Sequence, residues 1–182
     1  PGTPFIYYGD EIGMRQLDNL PHTEGSYMGR AGDRTPMQWD NGINKGFSAA
    51  PAESLYRAVD LSADAPDVAA EERDPASLLN KVKELIKLRV SEPALVAYAE
   101  FVPVFALKDK YPLAYIRANG KERLLIVLNP AAEDAEAAFN LNYRIKRGDV
   151  VSGDGTMSVR GKTVTVRMKG VSYAIFRANE SK

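Results

Sequence analysis

The sequence predicts an α+β chain in two parts. Residues 1–96 should hold a strand, a long loop and a helix, and residues 97–182 an all-β, antiparallel, sandwich-like domain. Three observations support this: a short apolar and aromatic run at residues 5–8, an amphipathic helical pattern after residue 75, and short runs rich in β-branched and aromatic residues in the second half. The change of pattern near residue 97 sets the predicted domain boundary.

The opening stretch carries the first functional signal. Pro4 and Gly9 bound the apolar run at residues 5–8, and a continuous apolar run between turn residues is typical of a strand buried on both faces. Asp10 and Glu11 would then lie at the carboxyl end of that strand, where α/β folds place their ligand sites. Since this stretch opens the chain without a starting methionine, we expect the chain to be part of a larger protein.

A long connection and one helix follow. Residues 15–60 are interrupted by glycines and prolines, but their aromatic residues favour an ordered loop (Tyr27, Trp39, Phe47 and Tyr56). Residues 61–73 are predicted to be an exposed connector. A helix is predicted from Asp74, an N-cap residue followed by proline, to about Ser91, because apolar residues recur there at three-and-four spacing.

Eight short runs after residue 100 predict the β domain. They are separated by turn signals, of which Asn119-Gly120 is a good hairpin signal. The predicted strands are residues 101–107, 113–117, 123–129, 137–141, 150–151, 157–160, 163–168 and 172–177. We interpret the aromatic residues of this half mainly as core (Tyr98, Phe101, Phe105, Tyr115, Tyr143, Tyr173 and Phe176). They form no line that would indicate a starch-binding platform.

Composition limits the possible partners. Lys plus Arg and Asp plus Glu number 24 each, so no net field attracts nucleic acid or an anionic membrane. No apolar run approaches the roughly 20 residues that span a bilayer. The absence of cysteine excludes disulfides and thiolate metal sites. The absence of cysteine does not distinguish a cytoplasmic protein from a periplasmic or secreted one.

Two separated motifs carry a resemblance to a known family. The glycines, proline and acid of Gly2-x-Pro4-x-x-x-x-Gly9-x-Glu11 resemble the last barrel-strand motif of the α-amylase superfamily of glycoside hydrolases. The RTPMQWD segment that starts at residue 34, with GFS shortly after it, resembles the following loop in the α-glucosidase, oligo-1,6-glucosidase and trehalose synthase-like branches.

The resemblance implies an architecture and an activity. Residues 1–96 would be the last strand, loop and helix of a (β/α)8 barrel, and residues 97–182 the antiparallel β domain that follows it. The chain would be a carboxyl-terminal fragment of a retaining enzyme that acts on α-glucosidic bonds of gluco-oligosaccharides or disaccharides. Transglycosylation or trehalose-type isomerisation on the same site is the alternative within the family.

No catalytic residue is assigned to this chain. Retaining glycosidases need two carboxyl groups about 5–5.5 Å apart, and consecutive residues such as Asp10 and Glu11 point to opposite sides of an extended segment. The resemblance implies that the nucleophile, the acid/base and a third acid lie on earlier barrel strands, upstream of Pro1. The fragment by itself is therefore predicted to be inactive and to need no cofactor.

Three residues are predicted to bind substrate, each with a structural alternative. Glu11 ends the strand motif and would lie at the bottom of the sugar cleft, or it is a structural hydrogen-bond partner. Arg34 is placed by the resemblance at the mouth of the cleft, near the leaving sugar, or it holds the loop through Asp33 or Asp40. Trp39 stacks on a sugar ring, or it anchors the loop.

A rival hypothesis is a non-catalytic scaffold or carbohydrate-binding module that retains the motifs. No metal site is predicted, because His22 is the only histidine and the acids of residues 60–74 lack the spacing of a calcium loop. Those acids are interpreted as a solvated connector. The fragment could also form a homo-oligomer, because a barrel strand without its neighbours exposes apolar side chains and unpaired backbone groups.

Overall fold

The computed structural model describes residues 2–18, 20–21, 30–145 and 148–181. The chain divides into two compact units. One unit is Pro4–Leu88, and the other is Arg89–Lys182 together with Pro1–Thr3. The predicted domain boundary between residues 96 and 97 stays a prediction. No helix in the described ranges is long and apolar enough to cross a membrane.

The predicted buried strand at residues 5–8 is wrong. These residues form no strand, and all four side chains are exposed, with Phe5 at 95%. A strand needs a neighbour to receive its ladder hydrogen bonds, and no described residue pairs with this segment. The chain turns instead: the Asp10 amide donates to the Tyr7 carbonyl at 3.0 Å and a short 3-10 helix follows at Asp10–Ile12.

Two α-helices occupy residues 68–91. Helix α1, Val68–Arg73, lies where an exposed connector was predicted, and that prediction is wrong. It forms because Asp67 caps it, accepting a hydrogen bond from the Ala70 amide at 2.7 Å. The second helix was predicted correctly, but helix α2 begins at Leu78 and runs Leu78–Ser91. Ser77 is its cap, since its Oγ accepts from the Asn80 amide at 3.2 Å.

The remaining described segments of the first unit are irregular. They contain short 3-10 turns at Asp10–Ile12, Gly32–Arg34, Ile43–Gly46 and Ala52–Ser54. Their small apolar core joins Ile12 and Met37 to Leu79 of α2. Three distant parts of the sequence are thereby held together by burial of apolar surface.

All eight predicted strands of the second unit are confirmed, with ends within two residues of the predicted ones. They are β1 Glu100–Phe105, β2 Leu113–Asn119, β3 Glu122–Asn129, β4 Ala135–Asn140, β5 Val150–Gly153, β6 Gly155–Arg160, β7 Thr163–Met168 and β8 Ser172–Arg177. One sheet has the order β1-β2-β3-β8-β5 and the other β4-β7-β6, and all neighbours are antiparallel. Asn119 pairs with Glu122, so the predicted hairpin joins β2 to β3.

The two sheets form a sandwich around one apolar core. Alternate residues of the central strands point inward, among them Leu125, Val127, Val164, Val166 and Phe176, each at most 1% exposed. Two predicted core residues are corrections: Tyr98 is 82% exposed and Phe101 42% exposed. Phe101 lies on edge strand β1, where its ring contacts that of Tyr115 at 4.7 Å between centroids.

Two arginines hold the chain that leads into the sandwich. Arg117 is buried on β2 and donates to the carbonyl of Val96 at 2.7 Å. Arg177 on β8 makes two 2.7 Å hydrogen bonds to the carboxylate of Glu92. These bonds hold the pKa of Glu92 below its ordinary value. The paired geometry fixes the segment just after α2 to the outer face of the larger sheet.

The exposed residues 5–8 should make the chain self-associate. Phe5, Ile6 and Tyr7 are each more than half exposed and adjacent in sequence, and contiguous apolar surface recruits other chains. We expect the weight-average mass from light scattering to rise with protein concentration. The double variant Phe5→Ser and Ile6→Ser should abolish the rise, while Leu61→Ser, at a single exposed apolar residue, should not. A monomer at every concentration would contradict this expectation.

Candidate functional site

A cavity of about 430 Å³ in the first unit brings the three predicted substrate-binding residues together. Glu11 comes from the first motif, and Arg34 and Trp39 come from the second. The full lining is Tyr8, Glu11, Arg34, Thr35, Pro36, Met37, Trp39, Phe47, Leu55, Tyr56 and Arg57. Its volume lies within the range of small-molecule sites, and most of its walls are aromatic or aliphatic.

The segment that carries Trp39 is fixed from behind by helix α1. The amide of Val68 donates to the Gln38 carbonyl and the amide of Ala69 donates to the Trp39 carbonyl, both at 3.0 Å. These are first-turn amides of α1, which have no partner within the helix. The Gln38 side chain, 1% exposed, also donates to the Pro66 carbonyl. Residues 38–39 are thus held by backbone hydrogen bonds and cannot move independently of α1.

The turn after Trp39 closes on a single carbonyl. The amides of Trp39 and Asp40 both donate to the Lys45 carbonyl, at 2.8 and 3.2 Å. The Asp40 carboxylate accepts from the Gly42 amide at 2.7 Å. It lies so close to Gly46 that a Cβ there would be 2.7 Å from its atoms, so only glycine fits.

The same turn holds two residues in the left-handed region. Asn44 and Lys45 have φ values of 49° and 56°, and both are buried. Such conformations cost energy in residues other than glycine and persist where surrounding contacts impose them. Here the Asn44 amide group donates to the carbonyls of Ser48 at 2.9 Å and Ala50 at 2.7 Å. The contacts of Asn44 therefore offset the strain and keep Trp39 at the cavity.

Glu11 and Asp10 both bind backbone amides. The Oε2 atom of Glu11 accepts from the Gly9 amide at 2.9 Å, and Oδ2 of Asp10 accepts from the Tyr7 amide at 2.9 Å. Gly9 has φ of 92°, which glycine adopts readily. The contact of Glu11 is of the structural kind proposed as its alternative. Its role toward a sugar stays a prediction.

Tyr8 is a lining residue that the sequence analysis did not single out, because it was assigned to a buried strand. Its hydroxyl donates to the Thr35 carbonyl at 2.9 Å. Burial raises the pKa of Tyr8, the neighbouring Tyr7 raises it further, and the charge of Arg34 partly opposes this. The hydroxyl is therefore protonated at neutral pH and joins the first motif to the second.

Arg34 ends the 3-10 helix Gly32–Arg34 and is exposed at the cavity. Within the described ranges its guanidinium forms no ion pair with Asp33 or Asp40, the two partners of the loop-holding alternative. Trp39 is half exposed, so one side of its indole is free to meet a ligand. Substrate binding by these two residues remains a prediction.

Arg57 is the least expected residue of the lining. It is only 6% exposed, and its guanidinium carbon lies 4.5 Å from the centre of the Tyr56 ring. Its Nε is buried without a hydrogen-bond partner in the part of the chain that the structure describes. The sequence signal that could have revealed it is one arginine inside the apolar run of residues 55–59.

Asp60, the first acid of the predicted connector, is less solvated than predicted. Asp60 is 5% exposed, and its carboxylate forms an ion pair with Arg15 at 3.0 Å. Arg15 also forms an ion pair with Asp64 at 2.9 Å. Burial acts to raise the pKa of Asp60, but hydrogen bonds from Ser62 and Arg15 outweigh it and lower the pKa overall. Interpreting Asp60 as part of a solvated connector was wrong, because Arg15 supplies the counter-charge that permits its burial.

Metal binding has no support from the described residues: none of their histidines, cysteines or acids form groups of three or more suited to an ion. His22 lies outside the described residues. Glu11 is the one carboxylate of the described cavity lining, so the pair that retaining hydrolysis needs is not assembled there.

A larger cavity of about 650 Å³ lies in the second unit, beside β4, β5 and β7. Four of its charged side chains form two ion pairs: Arg167 with Glu136 and Lys169 with Asp134, each at 2.6 Å. Its described lining contains no aromatic side chain, so it offers no surface for stacking a sugar ring.

Comparison with known proteins identifies the class. A family model described as the catalytic domain of alpha-amylase matches residues 1–98, more than half of the chain. The chain belongs to the alpha-amylase family. The resemblance of the two motifs is therefore confirmed, and the family is one of glycosidases.

Curated relatives are similar over most of the chain. A trehalose synthase of Thermus thermophilus is 33% identical over 135 residues, which cover 70% of this chain and 13% of that protein. An oligo-1,6-glucosidase of Parageobacillus thermoglucosidasius is 30% identical over 159 residues, covering 70% of this chain and 27% of that protein. An amino acid transporter heavy chain of Homo sapiens is 35% identical over 134 residues, which cover 70% of this chain and 18% of that protein. The chain thus spans less than a third of the length of these relatives.

Solved structures show the same fold. A trehalulose synthase in complex with Tris superposes with a TM-score of 0.75 at 22% identity, covering 97% of this chain and 36% of that one. The alpha-amylase from H. orenii superposes with a TM-score of 0.66 at 22% identity, covering 98% of this chain and 33% of that one. Nearly the whole chain therefore shares its fold with about a third of each of these larger structures.

Proposed function

We propose that this chain is the carboxyl-terminal part of a retaining glycoside hydrolase that acts on α-glucosidic bonds of gluco-oligosaccharides or disaccharides. Residues 1–96 would contribute the last loop and helix of its (β/α)8 barrel. The observation that supports the proposal most is the meeting of two separated motifs, through Glu11, Arg34 and Trp39, at one cavity. The names of the relatives agree with it.

The cavity has the chemistry of a sugar site. The half-exposed indole of Trp39 offers an apolar face on which a pyranose ring can stack. The guanidinium of Arg34 presents several donors in a fixed plane, which suits neighbouring sugar hydroxyls. Glu11 uses Oε2 on the Gly9 amide, and its Oε1 can accept from a hydroxyl. In this arrangement the residues bind and orient a sugar.

Bond cleavage would require groups from elsewhere in the whole protein. A nucleophile and an acid/base must flank the glycosidic bond about 5–5.5 Å apart, and the described lining supplies one carboxylate that is already bound to the backbone. We assign this chain to binding the leaving sugar.

The 182-residue chain should not hydrolyse an aryl α-glucoside, because a pair of catalytic carboxylates is missing from its described cavity lining. The measurement is release of the aryl alcohol at high protein concentration. Turnover that disappears in Glu11→Ala but persists in Glu53→Ala, at an exposed acid outside the lining, would refute the assignment of catalysis to other parts of the protein.

Arg34→Ala in the whole parent enzyme should lower kcat/KM for natural oligosaccharides more than kcat/KM for an activated aryl glucoside. Contacts to the leaving sugar matter when the leaving group is a sugar, and the loss of one hydrogen bond from a charged group corresponds to about tenfold in kcat/KM. The control is Arg73→Ala, at an exposed arginine outside the cavity. Equal losses on both substrates would favour the loop-holding role.

Two other functions have a specific relative behind them. The trehalose synthase supports an isomerase of the transglycosylating type, and the transporter heavy chain supports a scaffold. Incubating the parent with an α-linked disaccharide separates the three. Glucose indicates hydrolysis, an isomeric disaccharide indicates isomerisation, and unchanged substrate indicates a scaffold or binding module.

A further inference from the structure

Among the described residues, no acid serves as a counter-ion for Arg57. A buried cation is normally paired with a carboxylate, because removing it from water costs far more than a single neutral contact returns. Arg57 is 6% exposed, yet among the described residues no acid lies within ion-pair distance of it. Its guanidinium carbon lies 4.5 Å from the centre of the Tyr56 ring, and its Nη2 donates to the Tyr56 hydroxyl at 3.4 Å.

The donors of this guanidinium lie in its plane. The Tyr56 ring lies 4.5 Å from the guanidinium carbon and its π face cannot replace the in-plane acceptors that the N–H bonds need. Nε has none in the described part of the chain. A planar fork with unmet donors is the arrangement that binds carboxylate or phosphate oxygens.

Arg34 adds a second cation to the same cavity. Its guanidinium is likewise without an ion pair among the described residues. Glu11 is the single acid of the described lining, and one of its oxygens is bound to Gly9. The lining therefore carries two positive groups and one negative group, inside mostly apolar walls that strengthen charge interactions.

We propose that this cavity binds a compact oxyanion through Arg57 and Arg34, and that the sugars it selects carry a phosphate group. This rests on the proposed sugar-binding function and narrows its substrate class to anionic glucosides. The phosphate oxygens would accept from the terminal N–H groups of Arg57 and Arg34, and the sugar ring would lie against Trp39. Free inorganic phosphate shares the chemistry of the anion and is the other possible source.

The test uses the 182-residue chain and its own reporter. Trp39 is the one tryptophan of the sequence and lines the cavity, so its fluorescence reports binding there. The chain is titrated at constant ionic strength with glucose 6-phosphate, inorganic phosphate and glucose. We expect glucose 6-phosphate to bind at least about tenfold more tightly than glucose. Arg57→Leu should remove that preference, Arg57→Lys should keep part of it, and Arg73→Leu should keep all of it.

Each outcome decides the inference. Equal affinity for inorganic phosphate and glucose 6-phosphate supports the anion site and assigns it to the free ion. Equal affinity for glucose and glucose 6-phosphate overturns the inference and leaves the sugar-binding function intact. A preference for glucose 6-phosphate over glucose that survives in Arg57→Leu has the same consequence. Binding of none of the three overturns the inference, while the parent assays decide the proposed function separately. Should Arg57→Leu lose its circular dichroism spectrum, Arg34→Leu replaces it with the same expectation.

Discussion

The first unit depends on the backbone hydrogen bonds that join residues 38–39 to the first turn of α1. The amides of Val68 and Ala69 would otherwise be unpaired helix ends, and the carbonyls of Gln38 and Trp39 would otherwise lack donors. One set of bonds satisfies both needs. Because Asp67 caps the same helix, the position of Trp39 is tied to a capping interaction formed by residues far from it in sequence.

The cavity inherits its shape from this anchoring. The turn of residues 40–46 closes on the Lys45 carbonyl and keeps two residues at positive φ, a cost that only a constrained segment bears. Tyr8 then joins the first motif to the second through the Thr35 carbonyl. A ligand in the cavity would meet a rigid wall at Trp39 and exposed, adjustable charge at Arg34. Rigid apolar walls with few oriented polar groups favour specific over non-specific ligand binding.

Placement of charge is the least ordinary feature of the molecule. Two other shielded acids have a charged partner: Asp60 has Arg15, and Glu92 has Arg177. Arg117 has no acid partner among the described residues and is satisfied by backbone carbonyls. Arg57 differs from these groups, with an aromatic ring for one neighbour and an Nε that has no acceptor in the described part of the chain. Unmet donors of this kind are expected where a ligand completes the site.

The sequence by itself determined the β sandwich and the family. Alternating β-branched residues and turn signals specify strands locally, so all eight were found, and short motifs such as RTPMQWD identify relatives without any coordinates. The strand predicted at residues 5–8 is wrong because a strand forms only where a neighbouring strand accepts and donates its ladder hydrogen bonds. No described residue pairs with this segment. Helix α1 was predicted to be an exposed connector, because its capping depends on Asp67 within a run of acids. Only the tertiary structure decided that Tyr8 and Arg57 share a cavity with Glu11, Arg34 and Trp39, since packing between distant segments leaves no periodic trace in the sequence.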